Sequence, residues 1–390
     1  MSLSASCEHF PLCGGCTSLD FSYEKQLAGK HAQLLELFSD TEVQIPTVIP
    51  SPQPFYYRHK VQLPFGFSAK HSGKGLTLGC YAADSHRVID QKQCLIQDPD
   101  LTAVVHAVRF WAGKTGLGVY EEKRNSGFFR HVLLRRGLQT GEILVGLVTN
   151  GPRPVSSRNL ARSLIMSIEK QIDTERSRVV GVVQSVNTRS TNVVIGSREE
   201  VWWGRPFLKE KLGPYMFKVG ISTFFQVNPY QTPQLYNEVL KWVPQGASVL
   251  DVYCGVGTIS LWLSQKASQV IGIEENEQSI REARESARNN GVKNVSFRSG
   301  DASVLLPQYA DSFDVVVVDP PRRGLEGGAM SALKTGRLKR RIIYVSCNPQ
   351  TLHRDIKMLG DKYRVVSLVG VDMFPQTGHV ECVGVLEPRT

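Results

Sequence analysis

The chain has 390 residues, of which 41% are hydrophobic and 21% are charged, and its formal net charge at pH 7 is +10. The length fits two or three globular domains of roughly 100–200 residues each. No apolar run reaches the roughly 18 residues that a membrane span needs, and the N-terminus MSLSASCEHF does not read as a secretory signal. We therefore expect a cytoplasmic protein with no membrane partner. The basic excess favours a polyanionic partner, because Lys and Arg that neutralise phosphates release counterions.

Three cysteines open the chain in CEHFPLCGGC, at Cys7, Cys13 and Cys16. In the cytoplasm such thiols are reduced, metal-bound or catalytic rather than joined in disulfides. Three thiolates need a fourth ligand for a zinc ion or an iron–sulfur cluster. Cys94 is the best candidate, and Cys80, in an apolar strand-like context, is the second. Because only one pair is closely spaced, the pattern favours a 4Fe-4S cluster over zinc, and unmetallated cysteines are the third interpretation.

The next stretch combines a helix, a linker and a β-rich region. Leucines at helical spacing predict an amphipathic helix over residues 23–38, and the prolines over 46–54 predict a linker. Residues 55–220 alternate short apolar runs with turns, which predicts an α+β domain with one helix over 158–172. Basic residues beside aromatic ones suit phosphate contact and base stacking, so we assign RNA binding to this domain. They include Arg58, Lys60, Arg124, Arg130, Arg135, Arg136, Lys209, Lys211, Phe129 and Trp202. A solvated strand face with core aromatics accounts equally well for any one of them.

The C-terminal part predicts a second architecture. ISTFFQVNPY, over 221–230, predicts a strand with Gln226 on a polar side, and a helix is expected over 234–242. From residue 248 onward strands alternate with helices, which predicts a doubly wound, mostly parallel sheet. The last two strands are expected to pair as an edge hairpin. The predicted domains are thus 1–54, a cluster-binding segment and helix; 55–220, the central RNA-binding domain; and 221–390, a Rossmann-like domain.

A glycine turn and acidic strand ends predict a cofactor crevice in the last domain. Glu274 lies 23 residues after Asp251, near the spacing at which an acid binds ribose hydroxyls. The turn YCGVGT lacks the third glycine of G-x-G-x-x-G, which favours an uncharged adenosyl ligand such as S-adenosylmethionine over a dinucleotide. Asp301 ends the third strand, where it is placed to accept from an adenine amino group. Asp319 lies at the tip of the fourth strand.

Cys347 is the predicted nucleophile. The run RIIYV before it is typical of a buried strand, and Asn348-Pro349 ends that strand as a turn. Ligands of open α/β sheets bind outside the carboxyl ends of the strands, which is where this cysteine falls. Taken alone, Cys347 is more simply a buried core thiol. The same predicted domain also contains acidic strand ends and a glycine turn, and these motifs favour the catalytic interpretation.

Taken together, the motifs resemble the RNA uracil-C5 methyltransferases, which make 5-methyluridine in ribosomal and transfer RNA. The resemblance extends over nearly the whole chain. It rests on CEHFPLCGGC with Cys94, YRHKVQ, SVNTRSTNVV, TFFQVNPYQ, DVYCGVGTISL, DPPRRG, YVSCNP and DMFPQTGHVE. The iron–sulfur cysteines are similar to those of the branch that acts on 23S ribosomal RNA. Some relatives begin with an additional RNA-binding β-barrel, which we do not expect here because the cysteines start at residue 7.

The resemblance implies a role for each matching residue. It implies that Cys347 is the nucleophile and Glu381 the base that removes a proton. It implies that Cys7, Cys13, Cys16 and Cys94 hold the cluster, which decides between Cys94 and Cys80. The implied S-adenosylmethionine residues are Gln226, Tyr253, Thr258, Glu274, Asp301 and Asp319. Thr258 departs from the family, since relatives often have Asn there.

The implied reaction is covalent methylation of uracil C5 in a base that has left its stack. Addition of the Cys347 thiolate to C6 would make C5 nucleophilic, and Phe224 is placed to stack on the base. Three alternatives remain: a cytosine-C5 RNA methyltransferase, an amino-methylating enzyme related through DPPR, and a cluster-bearing RNA-binding or redox protein with an inactive methyltransferase fold. Nothing in the sequence indicates an obligate protein partner, so we expect a monomer.

Overall fold

A computed structural model describes residues 7–68, 75–191, 193–309, 312–335 and 341–389. Contacts divide the chain into two units. The first unit contains the residues up to Asp20, together with Pro54–Leu212 and Phe217–Thr223; the second contains Phe21–Gln53, Gly213–Met216 and the residues from Phe224 onward. The predicted domains placed residues 21–54 with the N-terminal cysteines, whereas the contacts group Phe21–Gln53 with the C-terminal residues.

The described residues form helices and strands in the following order. The helices are α1 Tyr23–Leu37, α2 Pro99–Ala112, α3 Ser157–Glu169, α4 Thr232–Lys241, α5 Thr258–Leu263, α6 Glu277–Asn289, α7 Ala302–Tyr309, α8 Gly327–Thr335 and α9 Pro349–Leu359. The strands are β1 Lys60–Ser68, β2 Gly75–Tyr81, β3 Val88–Asp90, β4 Phe129–Arg136, β5 Glu142–Thr149, β6 Arg178–Val186, β7 Arg198–Gly204, β8 Phe207–Leu212, β9 Tyr215–Gly220, β10 Ser248–Val252, β11 Gln269–Glu274, β12 Val295–Ser299, β13 Val315–Val318, β14 Arg341–Ser346, β15 Tyr363–Val371 and β16 Glu381–Pro388.

The first unit is built on a mostly antiparallel sheet. Its strand order is β3-β2-β1-β4-β5-β6-β7, and only β5 and β6 run parallel. Helix α3 connects these two strands, because a parallel pair needs a crossover connection. The inner faces of α2 and α3 share one apolar core with the strands, and β5 is buried at every position. The α+β architecture predicted for this region is confirmed.

The second unit is built on a mostly parallel sheet with the order β12-β11-β10-β13-β14-β16-β15. The inner strands are continuous apolar runs such as the Val315–Val318 strand, as expected for strands covered on both faces. The chain runs outward from β10 to β12 and then returns to β13 on the other side. This reversal opens a crevice outside the carboxyl ends of β10 and β13, where open α/β sheets bind ligands. The predicted edge hairpin is confirmed as the antiparallel pair β15 and β16.

Buried polar contacts explain why α1 belongs to the second unit. Lys30 Nζ lies 2.6 Å from Asp372 Oδ1, and both side chains are almost fully buried. Tyr23 donates to the other Asp372 oxygen at 2.9 Å. Gln26 and Gln376 exchange two hydrogen bonds of 2.8 and 2.9 Å. Together these contacts fix the loop that leads into β16.

One predicted strand is absent. Residues 221–230 form turns, because the Asn228 side chain accepts from the Gln231 amide at 3.1 Å while its carbonyl accepts from Thr232 Oγ1 at 2.7 Å. These local bonds replace a strand ladder. The helices predicted over 23–38, 158–172 and 234–242 are confirmed within a few residues. Within the described part of the chain, no helix has the length and apolar character to cross a membrane.

Candidate active site

The pairing of β14 with β16 places Cys347 across from Glu381. The two strands are antiparallel, with Ile342 opposite Leu386 and Ser346 opposite Cys382. One further step in this register sets Cys347, which follows β14, opposite Glu381, the first residue of β16. Opposite residues in such a pair have Cα atoms about 4.5–5.5 Å apart. The sheet therefore brings the predicted nucleophile and base together, although they are far apart in the sequence.

Burial and neighbouring charges set the protonation of these groups. Burial raises the pKa of Cys347, the carboxyl groups of Glu381 and Asp319 raise it further, and the Arg322 guanidinium lowers it. Glu381 is 3% exposed, and this burial raises its pKa to about 7. Burial and then Glu381 also raise the pKa of Asp319 well above its usual value. A carboxyl group with a pKa near neutrality is suited to accept a proton.

The turn after β14 presents Cys347 beside the start of α9. Ser346 Oγ donates to the Asn348 carbonyl at 2.9 Å and accepts from the Asn348 amide at 3.2 Å. The Asn348 side chain caps α9 by accepting from the Gln350 amide at 3.1 Å, and Pro349 occupies the first turn. These are the residues that favour a helix start. The thiol thus lies near the positive end of a helix, which favours its anionic form.

The glycine turn after β10 leaves open space at the crevice. Tyr253, Gly255 and Gly257 all have positive φ angles, at 66°, 54° and 79°. A Cβ atom added at Gly255 would meet nothing within 4 Å, whereas one at Gly257 would lie 2.7 Å from the Phe297 ring. Gly257 therefore serves close packing, and Gly255 faces open space. Glu274 Oε2 accepts from the Gly255 amide at 3.2 Å, which fixes the turn to the end of β11.

The remaining predicted cofactor residues have different surroundings. Thr258 Oγ1 hydrogen-bonds the Tyr236 hydroxyl at 2.8 Å, so this position is already engaged within the protein. The Tyr253 hydroxyl is buried with no hydrogen-bond partner among the described residues. Asp301 accepts from the Ser303 amide at 2.7 Å, at the start of α7. Gln226 is half-buried in the irregular 221–230 segment.

Phe224 and Asp251 complete the comparison with the sequence analysis. Phe224 is 66% exposed, which is unusual for an aromatic side chain and leaves its face free for a partner. Asp251 is fully buried, accepts from Ser260 Oγ and has a pKa raised to about 7 by its burial. Its other oxygen, Oδ1, lacks a partner among the described residues.

The first unit brings five cysteines together, and we call them the N-terminal thiol group: Cys7, Cys13, Cys16, Cys80 and Cys94. The Gly14 amide donates to the Tyr81 carbonyl at 3.0 Å, which fixes the CGGC turn against the end of β2. Burial raises the pKa of Cys16 to about 12, with Cys94, Cys13 and Cys7 adding to the effect. A hydrogen bond from Cys80 lowers the pKa of Cys13 to about 6. Among the described residues, no three His, Cys, Asp or Glu are arranged to hold a metal ion.

Several basic residues expected to contact RNA are internal instead. Arg130 donates to the carbonyls of Asn187 and Arg189, and Arg135 donates to the Thr223 carbonyl. Arg136 lies 3.1 Å from Asp100 Oδ2. All three arginines are at most 7% exposed, because the sheet buries their stems and internal acceptors bind part of each guanidinium group. Trp202 is likewise a core residue, at 2% exposure. The exposed basic residues of this set are Arg124, Lys209 and Lys211.

Comparison with known proteins identifies the family. A methyltransferase-domain family model matches residues 244–359. An uncharacterized RNA methyltransferase of Leptospira interrogans is 44% identical over 387 residues, which cover 98% of each chain. The chain belongs to the RNA methyltransferases. Another member, from Halalkalibacterium halodurans, is 38% identical over 395 residues, covering 99% of this chain and 83% of that protein.

A solved structure extends the comparison to the fold. The tRNA (uracil-54, C5)-methyltransferase of Pyrococcus abyssi, crystallised with S-adenosyl-L-homocysteine, superposes with a TM-score of 0.77 at 30% identity. The match covers 96% of this chain and 86% of that one. This RNA methyltransferase therefore has the Rossmann-like α/β fold of class I methyltransferases, as the sequence predicted.

Two residues of the site, Arg322 and Asp355, were not predicted from the sequence. Arg322 appeared there only as part of DPPRRG, yet its guanidinium lowers the pKa of both Cys347 and Glu381. Asp355 is completely buried beside the loop that carries Arg322. A buried acid within an amphipathic helix pattern was the available signal, because Asp is almost never fully buried unless it is paired.

Proposed function

We propose that this RNA methyltransferase methylates C5 of a uridine, with 23S ribosomal RNA as the expected substrate. The observation that supports the proposal is that β14 and β16 are last paired at Ser346 and Cys382, directly before Cys347 and directly after Glu381, and that Glu381 acts on the pKa of Cys347. One thiol and one carboxyl group with a pKa near 7 are the two groups that C5 methylation of uracil requires. Transfer RNA is the second candidate substrate, because the Pyrococcus abyssi structure is that of a tRNA methyltransferase.

The crevice fits S-adenosylmethionine by its polar atoms and its open space. The Tyr253 hydroxyl and Asp251 Oδ1 are buried and lack partners among the described residues, so a ligand with polar groups would satisfy them. Gly255, two residues after Tyr253, faces open space, and Glu274 lies at the end of the adjacent strand. When bound, this cofactor supplies an electrophilic methyl group. We propose Gln226, Tyr253, Thr258, Glu274, Asp301 and Asp319 as its binding residues.

The protein's own groups would act in sequence. Cys347 loses its proton to water, and the thiolate forms a bond to C6, which moves the electron pair of the C5–C6 double bond towards C5. C5 would then accept the methyl group that S-adenosylmethionine supplies, with S-adenosylhomocysteine as the leaving group. Glu381 then removes the C5 proton, the double bond re-forms, and the bond between Cys347 and C6 breaks. Exposed Phe224 would stack on the uracil after the base leaves its stack.

We also propose that Cys7, Cys13, Cys16 and Cys94 hold a 4Fe-4S cluster. Cys94, Cys13 and Cys7 lie close enough to Cys16 to raise its pKa, and Cys13 also raises that of Cys94, as expected for ligands of a shared centre. A four-iron cluster holds its thiolates farther apart than a single ion does, so the absence of a single-ion arrangement among the described residues is compatible with it. Such a cluster would tie the terminal segment to the Cys94 loop, which makes its role structural.

Nucleoside mass spectrometry tests the reaction. Purified protein is incubated with S-adenosylmethionine and unmodified 23S ribosomal RNA, and the digested RNA is examined for methylated nucleosides. We expect 5-methyluridine. Appearance of 5-methylcytidine or a methylated amine would contradict uracil C5 as the target. If 5-methyluridine forms with transfer RNA but not with 23S ribosomal RNA, transfer RNA is the substrate. If no methylated nucleoside forms with either RNA, the result favours an inactive methyltransferase fold.

A further inference from the structure

The start of α9 holds the backbone of the loop that carries Arg322. The Asn348 side-chain amide donates to the Arg322 carbonyl at 3.2 Å, and Thr351 Oγ1 donates to the same oxygen at 3.3 Å. Arg354 Nη2 donates to the Arg323 carbonyl at 2.8 Å. Two consecutive carbonyl groups of the loop are therefore fixed by side chains of one helix. These three bonds hold the loop backbone against the start of α9.

Asp355 is the centre of this arrangement. Its carboxylate is fully buried and accepts four hydrogen bonds: from the Tyr344 hydroxyl at 2.7 Å, the Leu325 amide at 2.8 Å, and Arg354 Nε and Nη2 at 2.9 and 2.7 Å. A buried carboxylate is stable only when its oxygens are satisfied in this way. A Cβ atom at Gly324, where φ is +82°, would lie 2.5 Å from Asp355 Oδ2. The loop therefore packs directly on the carboxylate.

The four donors connect the two parts of the candidate active site. Tyr344 lies on β14, three residues before Cys347, and Leu325 lies three residues after Arg322. One carboxylate thus fixes both the strand that presents the thiol and the loop that presents the guanidinium. The charged groups that act on Cys347 are Glu381 from β16, Asp319 from the end of β13, and Arg322. Glu381 and Asp319 disfavour the thiolate form of Cys347, and Arg322 favours it. Formation of the thiolate therefore depends on the position of Arg322.

We propose that Asp355 is a positioning residue that holds the Arg322 guanidinium beside Cys347 and Glu381, so that Cys347 ionises between two carboxyl groups. The proposal deepens the proposed function, because it concerns the same thiol. Asp355 acts through Tyr344, Leu325 and Arg354 and does not itself touch the reacting atoms. Arg322 supplies the charge, and Asp355 supplies the geometry that makes the charge effective.

Alkylation of Cys347 by iodoacetamide tests this proposal without RNA or cofactor. The rate is followed across pH by mass spectrometry of the Cys347 peptide, which separates it from the other cysteines. We expect Arg322→Gln to slow alkylation at pH 7 by about tenfold, the effect of raising the thiol pKa by about one. Asp355→Asn should slow it in the same direction, and the double variant should be no slower than Arg322→Gln alone. Arg323→Gln is the matched control, because this neighbouring arginine pairs with Glu326 at the surface; its profile should stay unchanged.

The outcomes separate positioning from mere stabilisation. If Asp355→Asn lowers the melting temperature but leaves the alkylation profile of Cys347 unchanged, the proposal is wrong. Should that variant not fold, Tyr344→Phe and Arg354→Lys replace it, and unchanged profiles in both overturn the proposal. Failure of the proposed function is a distinct result: a Cys347→Ala protein that still methylates RNA would refute the nucleophile while leaving the alkylation profiles as measured.

Discussion

The two units place their thiols in similar electrostatic surroundings, but we expect the thiols to have different roles. In the N-terminal thiol group, burial and neighbouring thiols raise the pKa of Cys16, and Arg58 opposes them. At Cys347, burial and two carboxyl groups raise the pKa, and Arg322 opposes them. In each case ionisable neighbours raise the pKa of the thiol and one arginine lowers it. The thiols of the first unit are proposed to share one centre, whereas Cys347 stands alone at the start of α9, where the helix terminus and Arg322 favour its thiolate.

The largest expected effect comes from removing the single thiol. Cys347→Ala should lower methyl transfer by on the order of 10⁴-fold or more, because the nucleophile is lost from a group of residues that act as a unit. Binding of S-adenosylmethionine, measured by calorimetry, should be retained. Cys382→Ala is the matched control, since this buried cysteine lies beside Glu381 on the same strand. Equal loss of binding and transfer in Cys347→Ala would refute its assignment as nucleophile.

Glu381→Gln separates the two halves of the reaction. The amide cannot accept the C5 proton, so the protein–RNA adduct should accumulate while turnover falls by about 10²–10⁴-fold. Denaturing gel electrophoresis with labelled RNA measures the adduct. Cys347→Ala combined with Glu381→Gln should give no adduct and serves as the control. If Glu381→Gln protein forms no adduct above background, the base lies elsewhere.

The N-terminal thiol group should respond to substitution in another way. Cys94→Ser should lower the iron content from about four atoms per chain to near zero and reduce the thermal stability, because metal binding is coupled to folding. Cys80→Ser, the matched control, should keep the iron, since Cys80 is outside the proposed ligand set. Iron analysis and the visible spectrum after anaerobic purification measure both variants. Iron lost from Cys80→Ser but retained by Cys94→Ser would reverse the ligand assignment.

The difference between the units also explains what could be predicted from the sequence. Local sequence patterns were sufficient where local interactions determine the bounds of an element. The run RIIYV predicted β14, and Asn348-Pro349 predicted its end. The partnership of Cys347 with Glu381 could be expected only through family resemblance, because the register of β14 on β16 is a long-range property of the sheet.

The failures also have physical causes, local at residues 221–230 and at α2 and long-range at Arg130. The strand predicted over 221–230 was wrong because the Asn228 side chain competes with a ladder. Helix α2 was not predicted, although Asp98 as its cap and Pro99 in its first turn are a recognisable start signal. The internal position of Arg130 depends on the carbonyls of Asn187 and Arg189, which no sequence pattern near Arg130 reveals.

The smallest effect is a pH dependence that distinguishes the two groups at the active site. Burial raises the pKa of Glu381 to about 7, so below that pH the carboxyl group is protonated and cannot accept the C5 proton. Decay of the preformed adduct should therefore slow by about tenfold for each pH unit well below 7 and level off above it. Formation of the adduct should continue to rise above pH 7, because the Cys347 pKa is raised above its usual value and its thiolate is still increasing.

Single-turnover experiments from about pH 5.5 to about pH 8.5 separate these phases. The slow residual decay of the Glu381→Gln adduct should be independent of pH and is the control. Adduct decay that is equally pH-independent in the unsubstituted protein would exclude Glu381 as the titrating base. A decay that instead follows the profile of adduct formation would mean that a single group, the thiol, limits both steps. Cys347 would then lack a titrating carboxylate partner. In that respect it would no longer differ from the thiols of the N-terminal thiol group.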